Sequence, residues 1–296
     1  MDTEPAFQRI ALLGLGLMGG SFALAARRAG LAVELVGYDA DKETLAEAVV
    51  TGIIEQGASD ACDAADGVDL VVLAAPVRAI LTLLDEVAPV LRPGTLVLDL
   101  GSTKQAIVAA MDRLPVAVRA VGGHPMAGKE VAGLKNAEAE LFIDATFAFC
   151  ATARTDQMAR TQVEQLAVAL GARPLWLDPV EHDALVATVS HLPYLLSVAL
   201  VRAALAADNP HAWTLAASGF RDTSRLAASD ERMILDILRT NVTALRRALA
   251  SAREELDALD AALAADDESL LRSLLRPAAE QRRRLFPRPT PNGTGR

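Results

Sequence analysis

Two polar residues, His124 and Ser102, follow apolar runs that predict buried strands. In a parallel sheet the carboxyl ends of the strands meet at one edge, where ligands bind. An imidazole can take a hydroxyl proton near neutral pH, and a serine hydroxyl can share that hydrogen bond or orient the ring. We therefore expect His124 to act as a catalytic base with Ser102 beside it. A purely structural role for a loop histidine is the alternative.

A glycine-rich turn near the N-terminus supplies a second element of chemistry. Gly14, Gly16 and Gly19 follow a strand pattern and precede a helical one, which is the context that a dinucleotide fingerprint requires. Gly14 permits the tight turn, Gly16 lets the backbone approach a pyrophosphate, and Gly19 lets the helix pack on the strand. Leu17 and Met18 would open the helix whose free N–H groups face the phosphates. A glycine turn without a ligand is the alternative.

The second and third predicted strands end in residues that could complete this cofactor site. Asp39 ends the second strand, 20 residues after Gly19. A carboxylate there accepts hydrogen bonds from the ribose hydroxyls of NAD and repels the 2′-phosphate of NADP, so we expect NAD. Ala75 and Pro76 end the third strand and would lie beside the cofactor, although an ordinary strand end explains them equally well.

The elements that must position these residues fall into two patterns. Residues 1–178 alternate continuous apolar strands with helices, which predicts a mostly parallel sheet covered on both faces. Residues 179–286 are helical in pattern, and the tail 287–296 is rich in proline and glycine, so we expect disorder there. The predicted architecture is an α/β Rossmann-type dinucleotide-binding domain, followed by an all-α C-terminal domain for dimerisation and substrate binding.

An apolar stripe in the helical half suggests a partner. Its members alternate in spacing between three and four residues: Val242, Leu245, Leu249, Ala252, Leu256, Leu259 and Leu263. This is a heptad-like seam on one long helix. The helix could pack on its own domain, but so long a seam favours packing against a symmetry mate, and we expect a homodimer.

The composition argues against several classes of partner. The chain of 296 residues has a net charge of −9 and 4% aromatic residues, which disfavours nucleic-acid binding. Cys62 and Cys150 are too few for a disulfide framework and lack metal-ligand spacing. The acidic N-terminus does not look like an export signal, and the most apolar stretch, Ala184–Val201, predicts a buried helix. We expect a cytoplasmic protein with no membrane, nucleic-acid or metal partner.

Several of these segments together resemble the prephenate dehydrogenase family, which includes the arogenate and cyclohexadienyl dehydrogenases of tyrosine biosynthesis. The similar segments are GLGLMGG (14–20), GYD (37–39), DLGSTK (99–104), GGHPMAGKEVAG (122–133), HDALVATVSHLPY (182–194) and GFRDTSRLAASD (219–230). HPMAG, SHLP and GFRDTSR are highly specific in combination, whereas GLGLMG alone also resembles the β-hydroxyacid dehydrogenases.

The resemblance implies an NAD-dependent oxidative decarboxylation of a cyclohexadienol. His124 would accept the proton of the ring hydroxyl while the ring carbon gives up a hydride, and Ser102 would assist. The ring carboxylate would leave as CO₂, and the formation of an aromatic ring would make the step effectively irreversible. By the same resemblance His191, in the SHLP motif, lies in the substrate pocket.

The resemblance also implies that Arg225 binds a carboxylate of the substrate. A dianionic substrate needs a local cation on an acidic protein, and arginine can grip a carboxylate with two hydrogen bonds. Arg221 lies four residues earlier, one helical turn away, and is the second candidate. A surface ion pair with Asp222 or Asp230 is the alternative for either arginine. Glu130 is expected to form part of a gate over the pocket, together with Asp222.

Two positions depart from the family pattern. Tyr194 stands where the family often has a second histidine after SHLP, and Ile234 stands near the place of a frequent tryptophan. Either could alter the pocket's shape, its pH profile or its choice between prephenate and arogenate, which differ in a keto or an amino-acid side chain. No residue decides that choice, and prephenate is the first expectation.

Two other classes of protein share part of this pattern. A β-hydroxyacid dehydrogenase would share the glycine fingerprint and the helical second half, but it usually relies on a lysine of the helical domain, and residues 178–296 contain no lysine. A regulatory NAD-binding protein without activity would need neither His124 nor Arg225.

Overall fold

One sheet organises the N-terminal part of the molecule. The computed structural model describes residues 6–129 and 131–287. Among these, eight strands form the sheet: β1 (Phe7–Leu13), β2 (Ala32–Tyr38), β3 (Gln56–Gly57), β4 (Leu70–Leu73), β5 (Leu96–Asp99), β6 (Arg119–Pro125), β7 (Thr146–Ala151) and β8 (Arg173–Trp176). Their order is β3-β2-β1-β4-β5-β6-β7-β8. The first six strands run parallel, β7 is antiparallel to β6, and β8 is parallel to β7.

Helices cover both faces of the sheet. They are α1 (Leu17–Arg28), α2 (Lys42–Val50), α3 (Ala61–Ala65), α4 (Val77–Val87), α5 (Gln105–Met111) and α6 (Gln157–Ala169), and a 3₁₀ turn spans Leu134–Asn136. Ile10 and Leu12 of β1 belong to one core with α1 and α6, while Ala11 and Leu13 belong to the other core with α4 and α5. Because successive side chains of a strand point to opposite faces, a strand buried on both sides must be apolar throughout.

The sheet confirms the predicted Rossmann-type fold and adds two features. The short strand β3 has no apolar residue, and both of its residues are exposed, so its sequence carries no strand signal. The direction of the strand order reverses between β1 and β4. From β1 the chain continues outward to β2 and β3 on one side, and from β4 it continues to β5, β6, β7 and β8 on the other. In open α/β sheets such a reversal opens the crevice that binds ligands.

After β8 the described chain is helical. The elements are α7 (Pro179–Val186), a π-helical turn (Ala187–His191), α8 (Leu192–Ala206), α9 (His211–Leu215), α10 (Ser218–Ser224), a 3₁₀ turn (Arg225–Ala228), α11 (Glu231–Thr240), α12 (Val242–Ala264) and α13 (Glu268–Leu285). The chain divides into two compact units, Met1–Leu245 and Arg246–Arg296. The change of pattern at residue 178 thus falls inside the first unit, and a separate domain beginning at 179 stays a prediction. Residues 288–296 of the predicted disordered tail lie outside the described residues.

The apolar stretch after β8 is helical, as expected, but it is not a buried core helix. Among the described residues, the helical stretch Pro179–Ala206 is the one long and apolar enough to cross a membrane by length and composition, a test that a helix of a soluble protein also passes. Only 22% of its most apolar window is buried. Leu205 is 59% exposed. Apolar composition predicts that the apolar face of this helix is covered. It does not predict whether residues of the same chain or of another molecule cover it.

The predicted apolar stripe lies on a single helix, α12. Leu245 is buried, whereas Leu256 and Leu263 are more than half exposed. The C-terminal part of the stripe is therefore an apolar face open to contact in the single chain.

Candidate active site

The glycine turn after β1 has the geometry that a dinucleotide needs. Gly14 has a φ of +101°, and a Cβ there would lie 2.5 Å from the carbonyl oxygen of Ala74. A Cβ at Gly19 would lie 1.9 Å from the carbonyl oxygen of Gly14, so both positions require glycine. Gly16, the N-cap of α1, is different, because a Cβ there would meet nothing within 4 Å. This open space in front of the helix N-terminus is a cradle into which a pyrophosphate fits.

Asp39 lies beside this turn at the carboxyl end of β2. Its Oδ2 accepts a hydrogen bond from the backbone N–H of Leu15 at 2.7 Å, and its Oδ1 accepts one from Asp41 at 2.9 Å. These bonds fix the carboxylate against the turn and leave each oxygen with a lone pair for a ribose hydroxyl. The residues present therefore fit NAD.

The other expected cofactor residues lie around the same crevice. Leu17 and Met18 form the first turn of α1, and both are half-buried. Ala75 and Pro76 follow β4, the strand next to β1, and Pro76 is the N-cap of α4.

A buried ion pair joins the ends of β5 and β6. Lys104 and Asp99 are both fully buried, and the ammonium contacts the Asp99 carboxylate and donates to the carbonyl of Gly123 at 2.5 Å. Asp99 also accepts from the N–H groups of Gly101 at 2.8 Å and Gly123 at 2.9 Å. Burial raises the pKa of Asp99, and Lys104 with these two donors counteracts that effect. The network fixes the backbone at Gly123, the residue that precedes His124.

His124 belongs to a chain of three hydrogen-bonding groups. Its Nδ1 lies 2.9 Å from Nε2 of His182, and Nδ1 of His182 lies 2.9 Å from Oδ1 of Asp183. The two rings meet edge to face, with centroids 5.1 Å apart. His182 and Asp183 belong to α7, and their exposed fractions are 1% and 0%. The structure thus brings a second histidine and a carboxylate to the predicted base.

Asp183 also anchors α5. It accepts hydrogen bonds from the backbone N–H of Lys104 at 2.7 Å and from that of Gln105 at 3.0 Å. Burial opposes ionisation of Asp183, but the bonds from His182 and from these two N–H groups outweigh it, and the pKa of Asp183 is lowered. Asp183 is therefore a carboxylate at neutral pH.

The surroundings of His124 and His191 favour the neutral forms of these two side chains. Desolvation, followed by repulsion from His182 and Lys104, holds the pKa of His124 well below the ordinary value. Burial lowers the pKa of His191 to about 4. His191 lies in the π-helical turn, a feature often found at functional sites. The amide nitrogen of Asn241 lies 3.4 Å from Nδ1 of His191 and donates to the carbonyl of Asp183 at 2.7 Å.

The remaining expected residues have different surroundings. Ser102 is half-buried in the loop between β5 and α5. Nε of Arg221 donates to the carboxylate of Asp222 at 2.9 Å, with both side chains exposed, which is the surface ion pair considered above. Arg225 begins the 3₁₀ turn that packs against α8. Glu130 lies outside the described residues.

The sequence interpretation missed His182, Asp183 and Lys104 as parts of the site. The available signal was a histidine next to a carboxylate in the first turn of a helix, directly after the last strand. Only the tertiary fold shows that this turn reaches β6.

The reversed strand order and the glycine cradle define a Rossmann-type dinucleotide-binding fold, with a histidine at the edge of its sheet. Comparison with known proteins refines this class. Residues 22–175 match the family described as "Prephenate dehydrogenase, nucleotide-binding domain", and residues 178–277 match "Prephenate dehydrogenase, dimerization domain". The chain belongs to the prephenate dehydrogenase family, as its motifs predict.

Individual relatives agree with this assignment. The prephenate dehydrogenase of Bacillus subtilis is 35% identical over 236 residues, which are 78% of this chain and 64% of the relative. The chain thus spans somewhat less than two thirds of that relative. The cyclohexadienyl dehydrogenase of Zymomonas mobilis is 30% identical over 90% of this chain and 92% of its own length.

Solved structures show the same fold along nearly the whole chain. Prephenate dehydrogenase from Aquifex aeolicus, in complex with hydroxyphenyl propionate and NAD⁺, superposes with a TM-score of 0.88 at 29% identity, covering 94% of this chain and 98% of that one. Synechocystis arogenate dehydrogenase superposes with a TM-score of 0.81 at 30% identity, covering 94% of this chain and all of that one.

Proposed function

We propose that this protein oxidises and decarboxylates prephenate to 4-hydroxyphenylpyruvate with NAD, a step of tyrosine biosynthesis. The observation that carries the proposal is the position of His124, a neutral imidazole at the end of β6, in a protein with a dinucleotide cradle at the same sheet edge. The Aquifex aeolicus neighbour, whose complex contains NAD⁺ and an aromatic propionate, supports both the cofactor and the kind of ligand.

The cofactor would be held by the elements around the β1 turn. The open space at Gly16 and the N-terminus of α1 would receive the pyrophosphate, and Asp39 would bind the ribose hydroxyls. Bound NAD supplies a hydride acceptor for the ring carbon that carries the hydroxyl. Asp39 disfavours the 2′-phosphate of NADP, because two anions would meet there.

His124 would manage the proton of the ring hydroxyl. Its free nitrogen accepts that proton as the C–O bond becomes a carbonyl and the hydride leaves the same carbon. The bond from the ring to its carboxylate then breaks, CO₂ departs, and the electron pair enters the ring. The carbonyl oxygen takes up a proton and becomes the phenol hydroxyl, so the overall reaction consumes no proton. Ser102 would share the hydrogen bond of the reacting oxygen.

Arg225 is our candidate for the carboxylate of the substrate side chain. A dianion approaching a protein of net charge −9 needs such a cation. Arg225 begins a turn packed on α8, the helix that follows His191. His191 is neutral near pH 7, so it would contribute a hydrogen bond to the substrate and not a positive charge. Arg221 is the second candidate, and Glu130 keeps its proposed place in a gate.

We also propose a cytoplasmic homodimer built through helices of the segment 179–286. The match to a dimerization domain supports the assembly, as do apolar side chains that the single chain leaves exposed. Leu205, Leu215, Leu256 and Leu263 are each at least 56% exposed. Sedimentation at micromolar concentration tests the dimer, and a clean 31.2 kDa monomer would contradict it.

The test of the activity is NADH formation with prephenate and with arogenate, each measured with NAD and with NADP. We expect turnover with prephenate and NAD. Turnover with arogenate alone would keep the roles of His124 and Ser102 and change the substrate, an alternative that the Synechocystis arogenate dehydrogenase supports. Turnover with both substrates would be the dual specificity of a cyclohexadienyl dehydrogenase, the name of the Zymomonas relative. Equal or better turnover with NADP would contradict the role of Asp39. Absence of turnover with either substrate would leave only nucleotide binding.

A further inference from the structure

The three groups His124, His182 and Asp183 form one continuous hydrogen-bonded chain from the sheet edge into α7. Both links measure 2.9 Å between heavy atoms. His182 and Asp183 are almost fully buried, so water does not compete for these bonds. His124 is half-buried and is the one member near the surface. The buried residues His182 and Asp183 can therefore influence which nitrogen of His124 carries the proton.

The donor and acceptor roles along this chain follow from Asp183. An ionised carboxylate only accepts hydrogen bonds, so Nδ1 of His182 must carry a proton and donate it. A neutral His182 then has an unprotonated Nε2, which accepts from Nδ1 of His124. A neutral His124 with its proton on Nδ1 has a free lone pair on Nε2. The carboxylate at one end thus fixes which nitrogen of His124 is basic.

The other hydrogen bonds that Asp183 accepts oppose the reverse arrangement of donors and acceptors. Its two oxygens accept from the backbone N–H groups of Lys104 and Gln105 and from the side-chain amide of Gln105, as well as from His182. The opposite tautomers would make Nδ1 of His182 an acceptor facing a carboxylate, with neither partner able to donate. A buried pair of acceptors without a proton between them is costly.

We propose that His182 and Asp183 are positioning residues that hold His124 in the Nδ1–H tautomer, with its Nε2 lone pair free for the substrate's hydroxyl proton. The inference rests on the proposed role of His124 as the base. When His124 takes that proton it becomes an imidazolium, and its Nδ1–H bond to His182 strengthens. Asp183 keeps its negative charge throughout, and no proton passes along the chain to it.

The tautomers can be observed directly without activity. The chain contains four histidines, so protein labelled with ¹⁵N-histidine gives four pairs of ring-nitrogen signals. Signals are assigned with the single variants H124N, H182Q, H191N and H211N. At neutral pH we expect His124 and His182 both to carry their proton on Nδ1. A proton on Nε2 of either ring would overturn the proposal, whatever the activity of the protein.

Kinetics test the consequence for catalysis. Asp183→Asn places an amide donor in the cluster and permits the opposite tautomer, so we expect kcat to fall by roughly 10²–10⁴-fold with KM for NAD unchanged. His182→Phe removes the acceptor for His124 and should lower kcat similarly, whereas His182→Gln keeps an oxygen acceptor and should recover about 10-fold or more. Equal activity of the Phe and Gln variants would contradict the positioning role. If His124→Asn retains full activity while the tautomers are as expected, the proposed base fails and the hydrogen-bonded chain stands.

Discussion

Lys104 and Asp99 form an ion pair in which both side chains have an exposed fraction of 0%. The pair ties the end of β5 to the backbone of β6 through Gly123. Transfer of two charges from water into a protein interior costs several kcal/mol per ion, and only excellent geometry offsets that cost. Here the Asp99 carboxylate also accepts hydrogen bonds from two backbone N–H groups, and these bonds stabilise its charge.

The first prediction concerns the stability that depends on this pair. Lys104→Met leaves the Asp99 carboxylate buried without its cation, and we expect the free energy of unfolding to fall by about 3–5 kcal/mol. Urea unfolding followed by circular dichroism measures it. The double variant K104M/D99N removes the orphaned charge and should recover part of the loss.

Arg113 provides a matched control for this effect. It pairs with Asp85 at 3.3 Å, but both side chains are more than 60% exposed. Arg113→Met should therefore cost less than about 1 kcal/mol, because water already solvates both partners. Similar losses for K104M and R113M would show that the buried pair has no special importance.

The second prediction is that His124→Asn lowers kcat with prephenate by about 10²–10⁴-fold, since asparagine cannot take the proton. The affinity for NAD, measured by fluorescence titration, should stay unchanged, because the glycine cradle lies in the turn after β1 and not on β6. His211→Asn is the control, as His211 is exposed at the start of α9. An unchanged kcat in H124N would assign the base to another group.

The third prediction concerns the acid limb of the pH profile. His124 must be neutral to accept a proton, so activity is lost as pH falls through its pKa. The sequence alone suggests a midpoint near the ordinary value of 6.5, but burial, His182 and Lys104 hold the pKa of His124 well below it. We expect kcat/KM, which reports the free enzyme, to show no fall centred at pH 6.5 and to fall only in more acidic solution. A fall centred at 6.5 or above would contradict the lowered pKa.

The parts of the molecule that the sequence predicts correctly are those with local causes. The apolar run 10–13 of β1 and the glycines after it follow from burial on both faces and from backbone geometry at Gly14. Strand β3 could not be predicted, because it is held by its pairing with β2 and not by apolar side chains.

The centre of the site depends on contacts between distant segments. His182 is 58 residues from His124, and Asp183 is 79 residues from Lys104. No pattern within one element shows that α7 packs on α5 and β7, so the roles of His182 and Asp183 appear only in the fold. The ion pair of Arg221 with Asp222, by contrast, joins sequence neighbours and was among the alternatives.

The fourth prediction tests the proposed carboxylate-binding arginine. Loss of a carboxylate contact made by two hydrogen bonds costs ~2–5 kcal/mol, so Arg225→Ala should raise KM for prephenate by about 30-fold or more. KM for NAD should not change. Arg225→Lys keeps the charge without the planar fork and should fall between Ala and the native residue. A larger effect for Arg221→Ala than for R225A would move the role to Arg221.

The fifth prediction links the buried His191 to acid stability. Its pKa is about 4 in the folded protein and near the ordinary 6.5 in the unfolded chain. Between these values the unfolded chain binds a proton that the folded protein does not, so stability decreases as pH falls from 6.5 towards 4. The decrease from this residue is about 3 kcal/mol, because one pKa unit corresponds to about 1.4 kcal/mol.

Urea unfolding of the native protein and of His191→Asn at pH 7, 5 and 4 isolates this contribution. Other titrating groups, including Asp183 nearby, act in both proteins and largely cancel in the comparison. We expect H191N to lose about 3 kcal/mol less than the native protein between pH 7 and 4, whatever its stability at pH 7. His211→Asn, which changes an exposed histidine, should follow the native protein. Parallel losses in H191N and the native protein would mean that His191 is not held neutral by burial.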